Sequence, residues 1–173
     1  MDFNEAYFLG YISQQPVLKQ KRDICSYEFQ ITIIDQSGPP MAIPVISKLE
    51  KNIKLVATLR ENDTLQIKGH LQKTKEGTLY LFAVDILKLN ASKQGKEKAI
   101  TKVLAHPDLT NNVYLRGLAL NSDEIQVERQ TKYKSITTND VLNIKGLAME
   151  PQKHCTIFGT LRGDTITSKG DQK

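Results

Sequence analysis

Ser26-Tyr27-Glu28-Phe29-Gln30-Ile31-Thr32-Ile33-Ile34 alternates between apolar and polar residues along most of its length. Tyr27, Phe29, Ile31 and Ile33 fall on one face of an extended chain; Ser26, Glu28, Gln30 and Thr32 fall on the other. Successive side chains of a strand point to opposite faces, so this is the pattern of a half-buried strand. The same grammar continues on both sides. Upstream, Ala6 to Ile12 (AYFLGYI) is aromatic and β-branched and runs into turn-prone Ser13-Gln14-Gln15-Pro16. Downstream, Gln36-Ser37-Gly38-Pro39-Pro40 punctuates the chain, and Met41 to Ile46 follows as a short third strand whose Pro44 suits an edge or a bulge. Lys48 to Leu59 spaces Leu49, Ile53, Leu55, Val56 and Leu59 at roughly helical intervals, a short helix or helical loop, and Asn62-Asp63 ends it. Leu65, Ile67, Gly69 and Leu71 then alternate with Gln66, Lys68, His70 and Gln72 as a fourth strand. Lys73-Thr74-Lys75-Glu76-Gly77 reads as a hairpin loop and Thr78 to Leu87 as a fifth strand.

Five strands with a helical segment between the third and fourth is the order of an OB-fold, a small Greek-key barrel. The expected fold is therefore all-β, with residues 1–90 forming this barrel. Residues 91–110 read as a basic linker, with four lysines (Lys93, Lys96, Lys98, Lys102) and one glutamate (Glu97); Ala99 to Leu104 within it has room for a short helix. Strand grammar then resumes and echoes the first half. Asn4-Glu5-Ala6-Tyr7-Phe8-Leu9-Gly10 is matched by Asn111-Asn112-Val113-Tyr114-Leu115-Arg116-Gly117. Asp63-Thr64-Leu65-Gln66-Ile67-Lys68-Gly69 is matched by Asp140-Val141-Leu142-Asn143-Ile144-Lys145-Gly146. The reading is a second, trimmed OB-like barrel over residues 111–168, with 169–173 as a flexible tail.

Composition narrows the function. The 173 residues carry 24 Lys and Arg against 19 Asp and Glu, a formal charge of +5. That permits an anionic partner without demanding one. No apolar run approaches the length of a membrane span, and the opening MDFNEAYFLG lacks the basic start and apolar stretch of a secretory signal, so a cytoplasmic location is expected. Cys25 and Cys155 are far apart and outside any CxxC pair, which suits reduced thiols better than zinc or a disulfide. His70, His106 and His154 are isolated, the carboxylates are scattered, and no Gly-rich phosphate loop appears. Neither an enzyme nor a cofactor or metal site is expected.

The first half resembles the bacterial, phage and plasmid single-stranded DNA-binding protein family, with primosomal replication protein N as a near relative. Residues 4–20 carry the resemblance best: Asn4, the apolar run into Gly10, Ile12, then Gln15-Pro16-Val17-Leu18-Lys19. Ile43-Pro44-Val45-Ile46-Ser47-Lys48-Leu49 resembles the family's third strand running into G-K-L, and LQIKGHL (Leu65–Leu71) its fourth strand. The resemblance spans about residues 4–89 and implies an OB-fold that binds single-stranded DNA without strong sequence preference in replication, recombination or plasmid or phage DNA processing. It also departs from the family. This chain has no Trp, places Ile46 where an aromatic usually precedes G-K-L, and lacks the acidic tail that recruits partners. The last departure favours a plasmid-, phage- or mobile-element-borne relative. Two barrels in one chain imply a monomer or dimer, or a filament nucleated by DNA, rather than the family's tetramer.

Binding a single strand needs cations for phosphates and flat side chains for bases. The candidate cations are Lys19, Lys21 and Arg22 after the first strand, and Lys73 and Lys75 in the fourth-to-fifth-strand hairpin; loops at these places frame the OB ligand groove. Arg116, Arg129, Lys132, Lys134 and Lys145 extend the track. Among aromatics, strand parity assigns Tyr27 and Phe29 to the core. Tyr11 beside polar Ser13, Tyr80 just past the basic hairpin, and Tyr133 between Lys132 and Lys134 are the candidate platforms. Two alternatives stand beside this reading: a protein–protein module of a replication or conjugation assembly, and RNA binding.

Overall fold

The computed structural model describes residues 1–36, 38–89, 95–129 and 138–170. Strands β1 (Phe3–Lys21), β2 (Ile24–Ile33), β3 (Met41–Ser47), β4 (Thr64–Lys73) and β5 (Leu79–Lys88) come first, with helix α1 (Glu50–Val56) between β3 and β4. They are hydrogen-bonded in the order β2-β3-β5-β4-β1, and β1 also pairs with β2, which closes the ring. The β3–β5 pairing is parallel, whereas β1–β2, β2–β3 and β1–β4 are antiparallel. This is the OB connectivity expected from the strand order. Phe29, Ile31 and Ile33 turn inward, as their alternation requires, and are buried, as are Phe8, Ile12, Leu65, Ile67, Leu71 and Leu81. Tyr27, at the mouth of that face, is half-buried.

Ser13-Gln14-Gln15-Pro16 does not end the first strand. Its residues are absorbed into β1 as two register irregularities, between Ile12 and Gln14 and between Gln14 and Val17. An extra residue on one strand bends and twists the pair without breaking it, so β1 runs on to Lys21 and the hairpin with β2 is long. Its turn is the two residues Arg22 and Asp23.

The second half repeats this plan. Strands β6 (Asn111–Ala119), β7 (Glu124–Arg129), β8 (Thr138–Lys145), β9 (His154–Arg162) and β10 (Thr165–Ser168) are ordered β6-β7-β8-β10-β9, and β6 pairs with β9 to close the ring. Here β8 and β10 are the parallel pair. Helix α2 (Lys96–Leu104) and a 3-10 turn at Pro107–Leu109 precede it. The barrel is filled by Val113, Leu115, Ile125, Leu142, Ile157, Leu161 and Ile166.

The connectivity corrects one part of the internal match. By position in the ring β8 answers to β3, not to β4, so Asp140–Gly146 is not the counterpart of Asp63–Gly69. The counterpart of β4 is β9. Ala6 pairs with Gly69 and Val113 with Gly159; Gly10 pairs with Leu65 and Gly117 with Cys155. The glycines agree: a Cβ at Gly10 or Gly117 would strike the carbonyl oxygen of Thr32 or Gln126, and one at Gly69 or Gly159 that of Phe82 or Thr167. Each ring thus needs a glycine on its first and fourth strands where another backbone passes close. Gly146 lies past the end of β8 with φ of +82°, a turn position.

The chain divides into two compact units, and the division interleaves the sequence. One comprises Ala6–Leu71 with Leu79–Asn111; the other comprises Asn112–Lys173 with Met1–Glu5 and Gln72–Thr78. Within the first, α2 is seated through Ala99 and Val103, and the Leu9 N–H donates to the Thr110 carbonyl at 3.0 Å. Within the second, the Glu128 N–H donates to the Asp2 carboxylate at 3.1 Å. Among the described residues no helix is long and apolar enough to cross a membrane.

Candidate nucleic-acid interface

The long β1–β2 hairpin decides where charge collects. In its outer arm Lys19 is opposite Ser26 and Lys21 is opposite Ile24, with Glu28 opposite Val17. Alternation puts Val17, Lys19 and Lys21 of β1 on the same face as Ile24, Ser26 and Glu28 of β2. β3 continues that face, because Ile46 is the register partner of Glu28. Lys19, Lys21, Ile24, Ser26, Glu28 and Ile46 line a groove of about 770 Å³, which Gln20, Arg22 and Lys48 complete. Four cations, Lys19, Lys21, Arg22 and Lys48, therefore share one concavity with a single carboxylate, Glu28. All four are exposed. The lone Coulomb partner does not balance them, so the groove presents a positive field to solvent, the condition for attracting a polyanion.

Arg22 stands out within the set. Its φ is +56°, in the left-handed region that a bulky residue occupies at a cost. A two-residue hairpin turn demands this conformation at its first position.

The remaining candidates fall elsewhere. Tyr11 is not a surface platform: it is 6% exposed and belongs to the core, flanked by Thr32 of β2 and Thr64 of β4, its register partners on either side. Lys96 Nζ lies 5.9 Å from the centroid of its ring. Tyr80 is half-buried on β5, with the parity opposite to core residues Leu79 and Leu81. In the other unit, Lys75 is exposed at the tip of a turn in which the Thr74 N–H donates to the Thr78 carbonyl and Gly77 takes a φ of +87°. The hairpin base is anchored rather than free: the Lys73 N–H donates to Asp140 Oδ1 at 2.9 Å. Arg129 is committed to the same carboxylate, through Nη2 at 2.6 Å and Nε at 3.0 Å, and its Nη2 also donates to the Lys73 carbonyl at 3.1 Å. Asp140 is 3% exposed, so Arg129 serves the fold as the partner of a buried charge. Arg116 is exposed on β6, on the face that carries Tyr114. Tyr114 packs against Phe158 with ring centroids 4.7 Å apart. Lys132, Tyr133 and Lys134 lie outside the described residues.

Sequence reasoning reached three of the four groove cations but missed Lys48, Ile24 and Ile46 as groove residues. Ile46 and Lys48 are more than twenty residues from the Arg22–Asp23 turn in sequence, and only the β2–β3 register brings them to the groove. Ile24 had a local signal, an apolar residue directly after a charged turn. The two cysteines are free, and burial pushes the Cys155 thiol up, which keeps it protonated and a poor nucleophile near neutral pH. Among the described residues no group of three or more His, Cys, Asp or Glu side chains could hold a metal ion.

No protein-family model matches the chain, and no curated protein matches it. Solved structures do. The wild-type single-stranded DNA binding protein from Thermus aquaticus superposes with a TM-score of 0.68 at 11% identity, covering 98% of this chain and 91% of its own. A deletion mutant of the same protein gives 0.63 at 12% identity, covering 98% and 93%. At such identities the likeness is one of fold, and it extends over both halves of the chain.

Proposed function

We propose that the chain binds single-stranded DNA without strong sequence preference and acts as a binding protein, not an enzyme, in the cytoplasm. The observation that carries this is the convergence of Lys19, Lys21, Arg22 and Lys48 on one groove with a single acid. A flexible phosphate backbone can follow such a track whatever its bases. The same fold in a protein described as single-stranded DNA binding supports it. Replication, recombination or plasmid or phage DNA processing is the setting that fits. Lys73, Lys75, Tyr80 and Arg116 are further candidate contacts.

Fluorescence anisotropy with a labelled oligo-dT at several salt concentrations tests the reading. Micromolar or tighter binding that weakens with salt is expected. Each phosphate neutralised on a single strand contributes about −0.7 to the slope of log affinity against log salt. The Lys19→Ala, Lys21→Ala double variant should flatten that slope by about 1.4 on every sequence alike. Absence of binding at low salt would overturn the proposal and favour a protein–protein module; equal or tighter binding of oligo-U would reassign the polymer to RNA.

A further inference from the structure

The groove contains a feature that phosphate binding alone leaves unused. Ile24 is 60% exposed, and it is the first residue of β2 beyond the Arg22–Asp23 turn. A single exposed apolar residue is ordinary. This one is accompanied by Ile46 on the same groove wall and by Val17, 54% exposed, on the same face of the hairpin. The aliphatic strip lies among Lys19, Lys21, Arg22 and Lys48. The neighbouring aromatic, Tyr27, is on the opposite parity: it pairs across the hairpin with Leu18 and across β3 with Ser47. The groove wall is therefore aliphatic.

Resting on the proposed function, we infer that Ile24 and Ile46 are the base-contacting surface of the groove, and that the bases of a bound strand are held by apolar contact with these two side chains while the four cations hold its phosphates. The occupant follows from complementarity. A single strand presents ring faces flanked by regularly spaced negative charges, and the groove presents apolar area flanked by positive charges. An apolar peptide would leave four cations unpaired, a costly arrangement once water is excluded. Covering an exposed Ile side chain is worth enough to matter in binding.

Two variants test the inference, and neither disturbs the core because Ile24 is on the surface. Ile24→Ser should weaken oligo-dT binding by roughly ten- to a hundredfold, with the salt slope unchanged because apolar contact releases no counterions. Ile24→Trp places the only Trp of the chain in the groove; it should bind at least as tightly as the parent, and its emission should be quenched as the oligonucleotide saturates. Parent-like binding by Ile24→Ser, or Trp emission indifferent to saturating oligonucleotide, would overturn the inference while leaving DNA binding by the chain intact. A drop in native mass for Ile24→Ser in light scattering, with affinity unchanged, would overturn it in favour of a second copy of the chain. If the parent fails to bind at low salt, the inference falls together with the proposed function.

Discussion

Arg22 exchanges stability for charge. Its left-handed backbone, at φ +56°, is a conformation that Asn adopts far more readily than a long side chain does. Arg22→Asn should therefore stabilise the fold by about 1 kcal/mol, raising the melting temperature by about 2–4 °C for a chain of this size. The same change should weaken single-strand binding and flatten the salt slope by about 0.7, the loss of one phosphate contact. Thermal melts and anisotropy titrations on one preparation check both, and the signs must be opposite. A variant that melts higher and binds as before would make Arg22 an ordinary turn residue. The contrast with Tyr11 is instructive at this scale. Both were candidates from sequence, and only local geometry distinguishes a half-wet aromatic from a buried one.

Among the elements, the hairpin from Gln72 to Thr78 is held at Lys73 by two side chains, Asp140 and Arg129. Asp140 accepts from the Lys73 N–H and from two nitrogens of Arg129, and Arg129 returns a bond to the Lys73 carbonyl. Asp140→Ala would leave the Lys73 N–H without this acceptor and a three-quarters-buried guanidinium without its carboxylate. Breaking a buried pair costs about 3–5 kcal/mol, and the partial exposure of Arg129 places this case near the lower value. A drop of roughly 6–12 °C in melting temperature follows, together with faster amide exchange at Lys73; a variant melting within a degree or two of the parent would show that the cluster is dispensable. Strand existence was legible in the sequence because alternation is local: Ser26–Ile34 announces its buried face without reference to any partner. Partnership was not. Asp63–Gly69 and Asp140–Gly146 look alike because any half-buried strand does, and only pairing reveals that one answers to the fourth strand and the other to the third. Ser13-Gln14-Gln15-Pro16 has the composition of a turn, yet pairing on both sides holds it extended. For the same reason the groove was half legible. Lys19, Lys21 and Arg22 are neighbours in the chain, whereas Lys48 and Ile46 reach them through the register of β3.

For the molecule as a whole, one chain carries two five-stranded rings of one connectivity, and 98% of it superposes on the Thermus aquaticus protein. Two rings per chain supply what a pair of single-ring subunits would, so light scattering of the free protein should find a monomer or a dimer; a stable tetramer without DNA would contradict this. The interleaved division of the chain has a further consequence, for synthesis. Met1–Glu5 and Gln72–Thr78 belong to the unit that Asn112–Lys173 completes. A ribosome adding about 5–20 residues per second delivers the first of these segments several seconds before any of their partners. Asp2 waits for the backbone of Glu128, and Lys73 waits for Asp140. The nascent chain must therefore hold two segments in reserve until its last third emerges, and the unit that Asn112–Lys173 completes cannot be obtained by cutting the gene at a single place.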